Sequence, residues 1–204
     1  MRLAALSLAA ALLSAQEPAG EPMATFGTTV VRSSGLRGVI YAIKPGTEEL
    51  PGLRKLPRLG TIYTTSLRIA PRSFLEGFPG VSERIEWFAI DYEGRIWVET
   101  PGQYKFRLQS DDGSKLWIND KLIIDNDGLH PPRIVEGSAH LSRGIHQIHI
   151  AYFQGPRTHV ALVMAVAPPE GNWRYFDTDD FLPPADPALW VDGKVSQVKR
   201  GENW

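Results

Sequence analysis

The sequence predicts an all-β chain, an antiparallel β-sandwich or barrel with long loops and few helices, and three observations carry that prediction. Apolar and polar residues alternate over short runs, 19 glycines and 16 prolines punctuate those runs, and helical periodicity is scarce after the first 25 residues. Strands joined by turns, with no regular helix between them, bury their apolar faces by packing sheet on sheet.

The elements follow in chain order. Residues 1–19 begin "MRLAALSLAAALLSAQEPA", with one basic residue, an apolar run from Leu3 to Leu13 and then small residues. That is the layout of a secretory signal peptide, and the run is shorter than the ~20 apolar residues a membrane span needs. Residues 20–34 form an N-terminal segment. The stretch 44–80 is rich in Pro and Gly and reads as long loops with one helical turn, flanking a strand at "TIYTTSLRI". "RIEWFAIDYEGRIWVETPG" reads as one long strand, or two broken at Glu93-Gly94. In "QYKFRLQ", Tyr104, Phe106 and Leu108 share a face, with Lys105 and Arg107 opposite. "GSKLWINDKLIID" carries Asn119-Asp120 between apolar runs, and both residues tolerate the positive φ of a two-residue hairpin. Ile148, Ile150 and Tyr152 line one face of "GIHQIHIAYF", and Val160, Leu162, Met164 and Val166 line one face of "THVALVMAV". Residues 168–204 form a Pro-rich strap and tail whose Trp173, Tyr175 and Phe176 are expected to pack on the domain.

Composition excludes several classes. A net charge of -1 offers no bulk attraction to nucleic acid or to a membrane surface, and the absence of cysteine rules out disulfides, thiolate metal sites and cysteine nucleophiles. No HExxH pair, nucleophile elbow or phosphate loop is present, so the chain reads as non-enzymatic. His146 and His149 fall on opposite faces of their strand and read as structural or surface residues. Trp87, Trp97 and Trp117 have the surface to stack on sugar rings, although a strand tryptophan is more often core.

Three segments together, "GLRGVIYAI", "WFAIDYEGRIWVETPGQYKFRLQSDDGSKLWINDKLIIDNDGLH" and "GIHQIHIAYFQGPRTHVALVM", resemble the PA-14 domain, with the domain bounded at residues 35–167. The resemblance implies a β-sandwich or barrel module of the kind found in secreted glycosidases, toxins, adhesins and yeast flocculins. In the adhesins the module is a calcium-dependent lectin; in other members it is a structural insert.

The lectin members hold calcium with two consecutive aspartates joined by a cis peptide bond, and Asp111 and Asp112 stand at that position. On spacing alone, Asp-Asp-Gly reads as a polar turn; the resemblance shifts the reading to a calcium site. Adjacent side chains on an extended trans chain point to opposite faces, whereas a cis bond turns both toward one point. Calcium takes six to eight oxygens, so two carboxylates are not enough. The resemblance places Gln154, in the loop "FQGPRTH", as a further oxygen donor, although the flocculin lectins carry Asn in a longer loop. Asn126, Asp127, His130 and Arg157 are the expected ligand-binding rim. The resulting expectation is a secreted, periplasmic or cell-surface domain that binds a glycan or polysaccharide through calcium, without stable membrane insertion. The alternatives are a structural domain that docks on another exported or cell-surface protein and an accessory domain of a glycoside hydrolase system.

Overall fold

In the computed structural model, which describes residues 35–81, 86–156 and 159–190, the alternating segments are strands of two antiparallel sheets. The strands are β1 (Leu36–Ala42), β2 (Arg58–Thr64), β3 (Arg68–Ser73), β4 (Phe88–Val98), β5 (Gly102–Asp111), β6 (Ser114–Ile118), β7 (Lys121–Asn126), β8 (Arg133–Leu141), β9 (Gly144–Gln154), β10 (His159–Ala167) and β11 (Arg174–Tyr175). One sheet has the order β2-β1-β4-β9-β6-β7; the other runs β11-β10-β5-β8, with β3 also paired to β10. The signal-peptide reading of residues 1–19, the segment 20–34 and Arg157 lie outside the described residues.

Period-two patterning explains which side of each strand faces in. Phe88, Ile90, Tyr92, Ile96 and Val98 of β4, Ile148, Ile150 and Tyr152 of β9, and Phe106 and Leu108 of β5 meet Val160, Leu162, Met164 and Val166 of β10 in a single core. Each is 4 % exposed or less, and burying a large apolar side chain contributes ~1.5–3 kcal/mol. β4 is one unbroken strand, paired along its whole length with β9. Asn119 and Asp120 take φ of 50° and 64° and close the β6–β7 hairpin as expected.

The structure corrects the sequence reading at three places. "TIYTTSLRI" is two strands in different sheets: the Thr64 hydroxyl donates to the Ser66 carbonyl at 2.7 Å and turns the chain between β2 and β3. A strand absent from the sequence reading, β8, pairs with β5 from Arg133 to Leu141; Gly137 on its inner face and Ile134 on its exposed face blur its alternation. The strap after residue 168 divides its aromatics. Phe176 and Phe181 stack in the core with centroids 5.5 Å apart, whereas Trp173 and Tyr175 lie on the outer face under Arg107 and Arg68, at 4.3 and 4.9 Å.

Gly137 of β8 lies against Ile123 and Ile124 of β7. A Cβ there would stand 2.2 Å from the Ile123 carbonyl oxygen, a backbone atom with no freedom to move aside. Gly137→Ala is expected to destabilise the fold by about 1–3 kcal/mol through forced backbone displacement. Urea denaturation of wild type and variant measures this; an unchanged midpoint contradicts it.

Candidate functional site

Asp111 ends β5 in one sheet and Ser114 begins β6 in the other, so Asp112 and Gly113 form the crossover between the sheets. The Asp111–Asp112 peptide bond is cis. Three more strand ends arrive at the same end of the sandwich. Asn126 closes β7, Gln154 closes β9, and β10 opens at His159, with Ala161 opposite Asp111.

The two carboxylates are almost completely removed from water, with Asp111 2 % and Asp112 5 % exposed. Asp112 is held by backbone donors: Gly155 N–H reaches Oδ2 at 2.7 Å and His130 N–H reaches Oδ1 at 3.2 Å. Gly155 is required for that approach, because a Cβ would lie 2.5 Å from the Leu129 side chain and 3.0 Å from Asp112 Oδ2. Asp111 is different: its Oδ2 is buried and has no hydrogen-bond partner among the described residues. Burial, and then the neighbouring Asp112 charge, push the Asp111 pKa up to about 6. Burial also raises Asp112, while the Gly155 and His130 amides pull the other way.

A polar layer under the pair keeps this end of the sandwich in one arrangement. Ser110 and Ser114 hydroxyls are 2.7 Å apart, and Asn126 Nδ2 donates to Ser110 Oγ at 2.9 Å. The Asn126 oxygen accepts from Arg133 Nε at 2.7 Å. The Tyr152 hydroxyl has one hydrogen for two acceptors, the Asp111 carbonyl at 2.7 Å and Gln154 Oε1 at 2.5 Å.

The structure therefore brings Asp111, Asp112, Gln154, Asn126, Asp127 and His130 to one end of the molecule but changes what several of them do. Asn126 is 0 % exposed, so it is not a rim residue; it lies in the polar layer because the β7 alternation turns it inward. Asp127 uses Oδ1 to accept from the amides of Leu50 and Gly128 at 2.9 and 2.8 Å, and Oδ2 to pair with Lys115 at 3.0 Å, so it anchors a long loop rather than offering itself to a ligand. The His130 ring folds back, with both nitrogens 2.9 Å from backbone carbonyls of Asn126 and Pro131, and its contact with the pair is made by its backbone amide. Gln154 is fully buried; its oxygen meets Tyr152 and its amide donates to the His159 carbonyl at 3.0 Å. Its place is that of a brace between β9 and β10 rather than an open oxygen donor.

Gly155 and Tyr152 carry no sequence signal of a place in the site. Tyr152 was legible only as a core-facing residue, and nothing in the sequence pairs Gly155 with Asp112 across 43 positions. Among the described residues no group of three or more His, Asp or Glu side chains gathers as metal ligands. An unpartnered buried carboxylate oxygen beside a second carboxylate is a donor set suited to a hard cation.

The pKa shift sets a pH dependence. Folded Asp111 binds its proton more tightly than the unfolded chain does. Its stabilising contribution is therefore full below pH 3.8 and is lost as pH rises through about 6. In chelator, the melting temperature is expected to carry a falling component across that interval, and Asp111→Asn is expected to flatten it. An identical profile in the variant contradicts the assignment.

A family model described as the PA14 domain matches residues 38–178. Among solved structures, the PA14 sugar-binding domain from an RTX adhesin superposes with a TM-score of 0.59 at 18 % identity, over 72 % of this chain and 96 % of that one. The PA14 domain of the MpAFP antifreeze protein gives 0.61 at 20 % identity, over 72 % and 88 %. The Epithelial Adhesin 9 A domain from Candida glabrata, in complex with Galβ1-3GlcNAc, gives 0.52 at 14 % identity, over 72 % and 88 %. No curated protein matches the sequence. At these identities the structural likeness speaks to the fold.

Proposed function

The chain belongs to the PA14 domain family, and from that premise we propose that it is a non-enzymatic carbohydrate-binding module in which Asp111 and Asp112 hold a calcium ion that bridges protein and sugar. The observation that carries this reading is the unpartnered Oδ2 of Asp111, buried beside the Asp112 carboxylate. Two negative charges kept from water are costly unless a positive charge joins them, and a divalent cation supplies it. Calcium prefers oxygen ligands in flexible number, so vicinal sugar hydroxyls complete its shell.

The protein residues divide the work. Asp111 and Asp112 donate carboxylate oxygens; the amides of Gly155 and His130 orient Asp112; Tyr152 and Gln154 brace the backbone beneath. The sugar-binding RTX adhesin domain and the galactoside complex of the Candida adhesin support carbohydrate as the ligand class. An adhesin-like role, with export and action outside the cell or at its surface, accompanies the proposal.

Asp111→Asn keeps the size of the side chain and removes one charge. Calcium affinity is expected to fall by about tenfold or more, equivalent to the loss of ~1.4 kcal/mol, while the folded spectrum is retained. Glycan binding is expected to be weak, with Kd near ~1 mM, and to disappear in chelator. Calorimetric calcium titration and a glycan array read with and without chelator test both parts. Equal calcium binding in the variant removes the metal assignment. Glycan binding that persists in chelator removes the bridge, and no glycan bound under either condition replaces the lectin reading with a structural one.

A further inference from the structure

A second feature with the makings of a ligand site lies away from the Asp pair. Tyr104 and Asp111 are seven positions apart on β5, which at ~3.3 Å per residue separates them by about 23 Å. Near Tyr104, the end of β4, the β4–β5 turn and the strap after β10 enclose a cleft of about 320 Å³. We propose that this cleft is a second, metal-independent saccharide subsite that takes a single uncharged pyranose ring.

The lining argues for that class of ligand. Trp97, Tyr104 and Phe181 are each 4 % exposed and form the base. Glu99, Arg174 and Asp180 have side chains 63 %, 47 % and 44 % exposed and stand at the mouth. The charges at the mouth are already paired. Glu99 accepts from Arg143 Nε at 3.0 Å and from Trp97 Nε1 at 2.8 Å, and Asp180 lies 3.2 Å from Arg174 Nε. A charged ligand would have to compete with those pairs for its Coulomb attraction. A neutral ligand with hydroxyls does not: carboxylate oxygens keep lone pairs free, and a guanidinium has five N–H donors, so the mouth both accepts and donates. A pyranose meets both demands, with hydroxyls around its edge and C–H groups that can rest on Pro168 and Pro169 of the lining. The volume lies at the lower end of the ~300–1,000 Å³ usual for ligand sites, which suits one ring rather than an oligosaccharide.

The inference does not rest on calcium and shares only a ligand class with the Asp pair. Two sites about 23 Å apart, toward opposite ends of β5, would let one chain hold two strands of a glycan network, so that weak contacts combine through avidity.

The test is an amide-resolved NMR titration of the full chain, in chelator, with methyl α-glucoside, methyl β-galactoside and methyl α-mannoside. Saturable shifts are expected at the amides of Thr100, Gly102, Phe181 and Leu182 for at least one glycoside, with Kd of about 1–10 mM. They should persist in Asp111→Asn. They should weaken by about tenfold or more in Leu182→Trp, which adds bulk at an exposed lining position. Dispersed signals from the β5 and β9 amides verify that this variant is folded, and Leu182→Ser, which removes bulk instead, should keep the shifts. Absence of saturable shifts at these amides with all three glycosides overturns the proposal, as do shifts unchanged in folded Leu182→Trp or shifts abolished by Asp111→Asn. A calcium titration read at the amides of Asp112 and Gly155 runs in parallel, so failure of the metal reading and failure of this one are told apart.

Discussion

Two neighbouring carboxylates, each 5 % exposed or less, have to be kept from water at the point where the chain leaves one sheet for the other. Much of one end of the molecule is arranged around that demand. Backbone amides from two separate loops reach Asp112, a tyrosine hydroxyl supports the Asp111 carbonyl, and the Ser110–Ser114–Asn126 layer satisfies the polar groups behind them. The residual imbalance is electrostatic, because hydrogen bonds from neutral donors orient a carboxylate but do not cancel its charge. Burial, and then the charge of Asp112, displace the pKa of Asp111 upward.

The sandwich makes such an arrangement possible by holding strand ends rigidly. Asp111, Asn126 and Gln154 are the last residues of three strands, and each strand is fixed along its length by an apolar inner face. On the outer face of the six-stranded sheet a smaller cluster, including Val39, Tyr41, Leu53 and Phe153, packs with Leu50 and Leu56 of the long loop after β1. Asp127 then ties that loop to the hairpin end through the Leu50 amide. Polar residues that read as a ligand rim thus hold the loops that frame the site, and sites held this way stay close to one geometry.

The tryptophans follow the same logic. Trp97 is buried and takes Arg143 over its ring at 5.1 Å, with Trp190 beside it at 6.0 Å. Trp117 is half-buried and stacks on His149, which in turn pairs with Asp91. Aromatic surface that sequence alone leaves open to stacking on sugar is occupied by protein partners, so the site's chemistry falls to oxygen donors rather than to an aromatic platform.

The sequence by itself determined the class of fold, the inward residues of β5, β9 and β10, the Asn119-Asp120 hairpin and the position of the Asp pair. All of these depend on local alternation, on turn chemistry or on a contiguous motif. β8 was not legible, because Gly137 leaves a gap in the apolar marks of its inner face while Ile134 stands on its exposed face; Gly137 is there because β7 passes too close for any Cβ, a condition imposed from outside the strand. The split of β2 from β3 was hidden for a related reason, since a single side-chain hydrogen bond at Thr64 turns a continuous alternating run. The roles of Asn126, Asp127, His130 and Gln154 were decided only by tertiary structure. Each is a polar residue close in sequence to the motif or its partner loop, and whether such a residue faces ligand or holds a neighbouring loop depends on which long-range donors reach it, as the Leu50 amide reaches Asp127 across 77 positions.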